Sequence, residues 1–169
     1  MLGDDSVFLY VDELDSSSIS DAVSELGLES NPSKQHISTT SVHYLQRLHS
    51  INFEEDGLYK GMRSVYRTLS GMLSYERFRN NWSKWMDSCR WIMQLENAKN
   101  NPNFSNLVTF TKEGDDVLNS GIPVKEIFSR AGGSMAIKST LGISSYPFNS
   151  MDPSGIATFE TTKLLDSMS

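Results

Sequence analysis

Two adjacent carboxylates near the start of the chain, in "MLGDDSVFLYV", are the residues most ready to do chemistry. Neighbouring like charges repel, so Asp4 and Asp5 either face solvent or share a cation. Gly3 gives the backbone freedom of a tight turn, and an apolar run follows directly. A hard cation such as Mg²⁺ takes carboxylate oxygens and fills the rest of its shell from water and substrate phosphates. Two such ions clamp the attacking and leaving oxygens of a phosphoryl transfer. Asp4 and Asp5 are too few ligands for that, so another carboxylate must come from elsewhere. The tripeptide alone is weak. It recurs at 114–116 in "FTKEGDDVL", where no apolar strands flank it and it reads as a polar loop. The plain alternative for both is a solvated turn.

The other reactive side chains say less. His36, His43 and His49 form no His-x-x-x-His pair and have no cysteine or acid cluster beside them, so a surface or loop role outweighs a metal site. The single cysteine, Cys89, excludes an internal disulfide and any cysteine-based zinc site, and fits a reducing compartment. Trp82 and Trp85 share the apolar stripe of a predicted helix and read as core; Trp91 lies off it and is open to base stacking. Arg63, Arg67, Arg77, Arg79, Lys84 and Arg90 are placed either to contact the phosphates of a polyanion or to solvate a helix face beside Glu76 and Asp87.

These groups need elements to hold them. Residues 6–11 read as a strand with both faces buried: Val7, Leu9 and Val11 on one, Phe8 and Tyr10 on the other. Ser16 to Ser18 are cap candidates for a helix carrying Ile19, Ala22, Val23 and Leu26, which Gly27 ends. Asn31-Pro32-Ser33-Lys34 is a turn, Val42 to Leu45 a short strand, and 50–57 a connector. A 3.6-residue period runs from Leu58 to Leu73 and again from Trp82 to Met93. Pro102 breaks it, 104–112 suits a short helix, and Pro123 opens another that Gly132-Gly133 stops. Residues 58–130 should therefore hold four or more helices around Leu69, Trp85, Cys89 and Ile92. Periodicity fades after Ser134, and Ser, Thr, Gly and Pro suggest a loosely structured tail over 134–169. The fold class is α+β, passing to all-α near residue 57.

Charge is uneven. Residues 1–33 carry eight acids and no lysine or arginine, whereas 34–100 carry ten bases and six acids. Such a split fits a cation site beside a polyanion site, or simply two solvated faces of opposite sign. No apolar run approaches the roughly 20 residues of a membrane span. Residues 1–11 lack the basic start of a signal peptide.

In its order of motifs the chain resembles the viral RNA-dependent RNA polymerases. "LGDDSVFLYV" is similar to motif C, where a palm hairpin bears Gly-Asp-Asp at its turn. "SISDAVSELGLESNPSKQ" looks like motif D, a helix and then a turn with a lysine, and "VHYLQR" looks like motif E, the hairpin joining palm to thumb. With the stretch "MRSVYRTLSGMLSYE", the likeness is to double-stranded RNA viruses of the partitivirus and amalgavirus kind.

The resemblance implies residues 1–57 as the end of a palm, 58–133 as a helical thumb and 134–169 as a tail. It implies Asp4 as the principal metal ligand, Asp5 as a weaker one, with Mg²⁺ or alternatively Mn²⁺ as cofactor. Lys34 becomes the lysine that protonates or neutralises the leaving pyrophosphate; otherwise it is a solvated turn residue. Arg47 supports the growing strand; otherwise it is a surface arginine beside Tyr44. Implied partners are template and product RNA, nucleoside triphosphates, a missing N-terminal part of the same polymerase and a viral capsid protein, with no membrane. The implied location is the virion interior and the host cytoplasm. Motifs A, B and F have no place before Met1, so the chain reads as a C-terminal fragment, inactive alone. The competing reading is a non-catalytic helical interaction protein with an acidic N-terminal segment, separable by the sequence upstream of Gly3.

Overall fold

A computed structural model describes residues 6–75, 82–141 and 155–169. It is α+β, with two small antiparallel sheets and a larger set of helices, and it forms two compact units, 1–62 and 63–169.

In the first unit, helix α1 spans Ser16–Glu25. Its cap is Asp15, one residue before the expected serines: the carboxylate accepts from the Ser18 amide at 2.8 Å and the Ser17 hydroxyl at 2.6 Å. Those hydrogen bonds, Ser17 first, hold the Asp15 carboxyl below its ordinary range. Gly27, at φ +75°, ends the helix in a Schellman turn, with Gly27 N–H on Ser24 O and Leu28 N–H on Val23 O. A 3₁₀ turn, Pro32–Lys34, follows. Strands β1 (Ser41–Tyr44) and β2 (Arg47–Ser50) pair with His43 opposite Leu48 and Val42 opposite His49.

Three expectations fail in this unit. Residues 6–11 form no strand among the described residues, and Leu9 is 93% exposed. An apolar run becomes a strand only when a partner takes its amides and carbonyls, and no described strand does so. Helix does not begin at Leu58. Glu54–Glu55 (β3) and Leu58–Tyr59 (β4) make a hairpin instead, and Leu58 is exposed. Asp56 and Gly57 take φ of 53° and 77°, the two-residue geometry that Asp-Gly favours and that a helix cannot contain. The division also falls after Met62 rather than at residue 57, because Met62 exchanges two backbone hydrogen bonds with Leu48 and extends the β1–β2 sheet.

The second unit is helical: α2 (Val65–Leu73), α3 (Lys84–Glu96), α4 (Phe104–Gly114), α5 (Val124–Arg130), α6 (Gly133–Leu141) and α7 (Glu160–Ser167). Ser64 and Ser83 cap α2 and α3 through the amides of Arg67 and Met86. The four helices expected within 58–130 are present. Cys89 and Ile92 are fully buried, and Leu69 and Trp85 pack half-buried against them. A fully buried side chain such as Ile92 stabilises by about 1.5–3 kcal/mol relative to exposure. Among the described residues no helix is long and apolar enough to cross a membrane.

The described part of 134–169 is not a loose tail. Ile137, Ile156, Phe159 and Leu165 join the core. Much of the rest of its buried face is threonine: Thr140, Thr161 and Thr162. Thr162 satisfies its hydroxyl on the Ile156 carbonyl at 2.7 Å, which lets a polar residue enter a core. Side chains from other helices fix both ends of α7. The buried Glu96 carboxylate accepts from the Thr161 amide at 3.1 Å and its hydroxyl at 3.0 Å, and Lys99 lies 3.1 Å away. At the far end Lys112 donates to the Met168 carbonyl at 2.8 Å, while Asp166 of α7 accepts from the Val124 amide at the start of α5.

Two predictions follow from this packing. Glu96→Ala leaves the Thr161 amide and hydroxyl without their acceptor, so it should destabilise the helical unit by about 1–3 kcal/mol, measured by urea unfolding, and more than Glu160→Ala on the exposed face. Burial pushes the Cys89 thiol up to about 12. Its neutral form therefore favours the folded state fully below the unfolded thiol pKa, and that contribution is lost as pH rises toward 12. Iodoacetamide at pH 8 should alkylate Cys89 only in urea; labelling of the native chain at the rate of a free thiol would contradict the packing.

Candidate functional site

Asp4 and Asp5 lie outside the described residues, as do Arg77 and Arg79. Among the described residues no group of three or more His, Cys, Asp or Glu side chains is arranged to hold a metal. In donor chemistry, the Asp4–Asp5 pair suits a hard divalent cation.

Lys34 is the last residue of the 3₁₀ turn and is exposed. The turn is stiff by construction. Pro32 fixes φ, and the Asn31 side chain accepts from the Ser33 amide at 3.0 Å and hydroxyl at 2.7 Å. The amides of Lys34 and Gln35 donate back to Asn31 O and Pro32 O. Beyond it, Gln35 donates to the hydroxyls of Ser20 on α1 and of Ser30, each at 3.0 Å. His36 lies against His43 of β1 with ring centroids 5.4 Å apart.

Arg47 opens β2 opposite Tyr44 and is half-buried. It shares a face with His49 two residues on, and both side chains lie over Gly61. A methyl group at Gly61 would meet the His49 ring at 2.7 Å and Arg47 Cδ at 3.1 Å, so only glycine leaves room for the pair. His49 Nδ1 is 3.2 Å from the Tyr59 carbonyl. The hairpin tip places Leu45 and Gln46 at φ 47° and 62°, left-handed geometry that non-glycine residues seldom adopt. The three histidines do not converge: His43 and His49 project from opposite faces of the hairpin, as the register requires.

The helical unit sorts the remaining candidates. Arg90 donates to the carbonyls of Gly71 at 2.7 Å and of Met72, and lies over the Tyr75 ring at 4.4 Å. It closes the C-terminal end of α2, where exposed carbonyls and the helix dipole favour a cation. Asp87 completes the cluster, accepting from the Tyr75 hydroxyl at 2.7 Å and lying 3.6 Å from Arg90. Burial, with the Asp87 hydrogen bond second, raises the Tyr75 phenol above its ordinary range. Trp82 meets Tyr75 edge-on, and the Trp85 ring is covered by Lys84 and Arg130 at 5.0 and 4.8 Å. Trp91, off the apolar stripe, also packs half-buried against the core. Asp115, in the second Gly-Asp-Asp, accepts from Ser88 Oγ and the Leu118 amide; its role is structural. Arg67 and Lys84 are exposed.

No family model matches the chain. Searches of curated proteins and solved structures both lead to one class, the viral RNA-dependent RNA polymerases. In sequence, the chain is 31% identical over 125 residues to a potential RNA-dependent RNA polymerase of human picobirnavirus (strain Human/Thailand/Hy005102), across 72% of this chain and 23% of that protein. In fold it matches the crystal structure of the RNA-dependent RNA polymerase of a human picobirnavirus, with a TM-score of 0.71 and 24% identity over 92% of this chain and 28% of that one. The insertion-loop deletion mutant of that polymerase matches at a TM-score of 0.68 and 24% identity, over 95% and 28% of the two chains. The resemblance to viral polymerases of double-stranded RNA viruses thus stands in sequence as well as in fold. The chain spans about a quarter of the length of these relatives.

The sequence leaves Arg90 open between phosphate contact and a solvated helix face; its contacts give it to α2. Arg90→Ala should cost the helical unit about 1.5–3 kcal/mol, the range for hydrogen bonds to a charged group, in chemical unfolding. Arg67→Ala should leave stability within about 0.5 kcal/mol. Equal effects of the two substitutions would contradict this assignment.

Proposed function

We propose that this chain is the C-terminal portion of a viral RNA-dependent RNA polymerase, comprising the end of the palm and the thumb. The observation that carries the reading is the order of elements after Gly-Asp-Asp. Helix α1, the lysine-bearing turn and the β1–β2 hairpin follow one another as motifs D and E do in that family. The sequence likeness to a polymerase supports it independently.

In this reading the reaction is attack of an RNA 3′-hydroxyl on the α-phosphate of an incoming nucleoside triphosphate. Asp4 and Asp5 would hold Mg²⁺, or Mn²⁺ in its place, with a carboxylate from another part of the polymerase. The bound ion supplies Lewis-acid stabilisation of charge on the phosphoryl oxygens. Lys34, on its exposed turn, gives a proton or positive charge to the departing pyrophosphate, a contribution of about 10²–10⁴ in rate for general acid help. Arg47 steadies the backbone of the growing strand. The partners are template and product RNA, nucleoside triphosphates, the rest of the polymerase and the viral capsid protein, in the virion interior and host cytoplasm.

The test is nucleotide incorporation by the polymerase containing this stretch. Asp4→Asn keeps the shape and removes a ligand charge, so incorporation should fall by about 10²–10³-fold or more over a Mg²⁺ titration. Asp5→Asn should be milder. Lys34→Ala should slow turnover by about 10²-fold without abolishing it. Near-normal incorporation by Asp4→Asn would return Gly-Asp-Asp to a plain turn.

A further inference from the structure

We infer that Gln35 and His36 are positioning residues for Lys34, a role that rests on the reading of Lys34 given above. The turn that carries Lys34 is rigid within itself, but internal rigidity does not fix where the lysine stands. The two residues that follow it do. Gln35 is extended, with φ −77° and ψ 136°, so its side chain and that of His36 leave the chain in different directions. Gln35 reaches one way to Ser20 of α1 and to Ser30, at 3.0 Å each. His36 sets its ring against His43 of β1, 5.4 Å between centroids, with Nε2 3.4 Å from Ser41 Oγ. The lysine is thereby held between the helix and the hairpin.

The tethers matter because, among the described residues, no apolar packing fixes where the stiff turn sits. Helix α1 has no buried residue, and neither does the turn. Without an apolar core to lock them, a hydrogen-bonded glutamine and a ring–ring contact set the register of the turn. A displacement of about 1 Å in a positioned group costs up to 10²-fold in rate, so loss of either tether reads out in turnover.

The experiment is a double-mutant cycle in the full polymerase, with kcat and KM for nucleotide incorporation as readouts. Gln35→Leu and His36→Ala should each lower kcat about 10-fold and leave KM for the triphosphate unchanged. In a Lys34→Ala background neither should lower kcat further, because the group they position is gone. His36→Phe keeps a ring against His43 and should retain wild-type kcat. The combined change Ser20→Ala with Ser30→Ala removes the acceptors of Gln35 at small cost in volume and should reproduce Gln35→Leu. If these losses multiply with that of Lys34→Ala, or if kcat does not change, the positioning role is overturned. Asp4→Asn separates the two levels. Incorporation surviving Asp4→Asn refutes the polymerase reading itself, whereas its collapse together with multiplying losses refutes only the positioning.

Discussion

The helical unit depends on one buried charge. Glu96 is 5% exposed, and a carboxylate so placed is stable only if its oxygens are met by donors. It meets the amide and hydroxyl of Thr161 at the start of α7, where the helix dipole also favours negative charge, and it keeps Lys99 at its side. The interaction spans 65 residues of sequence. Through it the last helix is fastened to the central one, and α7 in turn lends Asp166 to the first amide of α5 and takes Lys112 on its own last carbonyls. Arg90 does the same for α2, and Asn101 donates to the Arg63 carbonyl just before it. These helices run from 7 to 13 residues, at or below the length at which an isolated helix persists in water. Their ends are a large fraction of their backbone. A fold made of short helices needs those ends closed by side chains from elsewhere, and this one exchanges them.

The first unit solves a different problem. Among its described residues Ser50 alone is buried, so its order is local. Caps, a Schellman turn, a proline-stiffened 3₁₀ turn and two hairpins with left-handed loop residues each define a few residues at a time. Gly61 contributes by being small, since Arg47 and His49 both lie over it and a side chain there would meet them.

That contrast explains what could be read from the sequence. Periodicity found α2 and α3 and placed Cys89 and Ile92 in the core, because a 3.6-residue stripe reports burial directly. Gly27, Asn31-Pro32 and Gly132-Gly133 marked real boundaries because their backbone preferences act locally. Competing local signals misled at Leu58, where the stripe suggested helix but Asp56-Gly57 made a hairpin. Non-local requirements misled elsewhere. A strand over 6–11 needs a partner that the run itself does not encode. Helices α6 and α7 bury threonines, whose hydroxyls look like loop residues until a carbonyl or Glu96 is seen to receive them. Arg90 reads equally as a phosphate contact or as part of a solvated helix face, because its acceptors sit about 18 residues away. At the candidate site, residue types at 34 and 47 were visible, but the tethers around them were not: nothing in Gln35 or His36 as letters points to Ser20 or His43.

Exposure and precision make opposite demands on a catalytic lysine. Burial would position an ammonium well but favours its neutral form, which carries neither proton nor charge to a leaving group. Solvent keeps the charge and removes the packing that would hold it still. A stiff turn with anchored flanks meets both demands, since the charged tip stays in water while the backbone beneath it is fixed. Residues 31–36 have that form. Pro32 and Asn31 stiffen the turn, Lys34 stands exposed at its end, and the two residues that follow hold one to α1 and the other to β1. A unit without a core can in this way hold one side chain in place, provided polar contacts carry the geometry that packing carries in the helices.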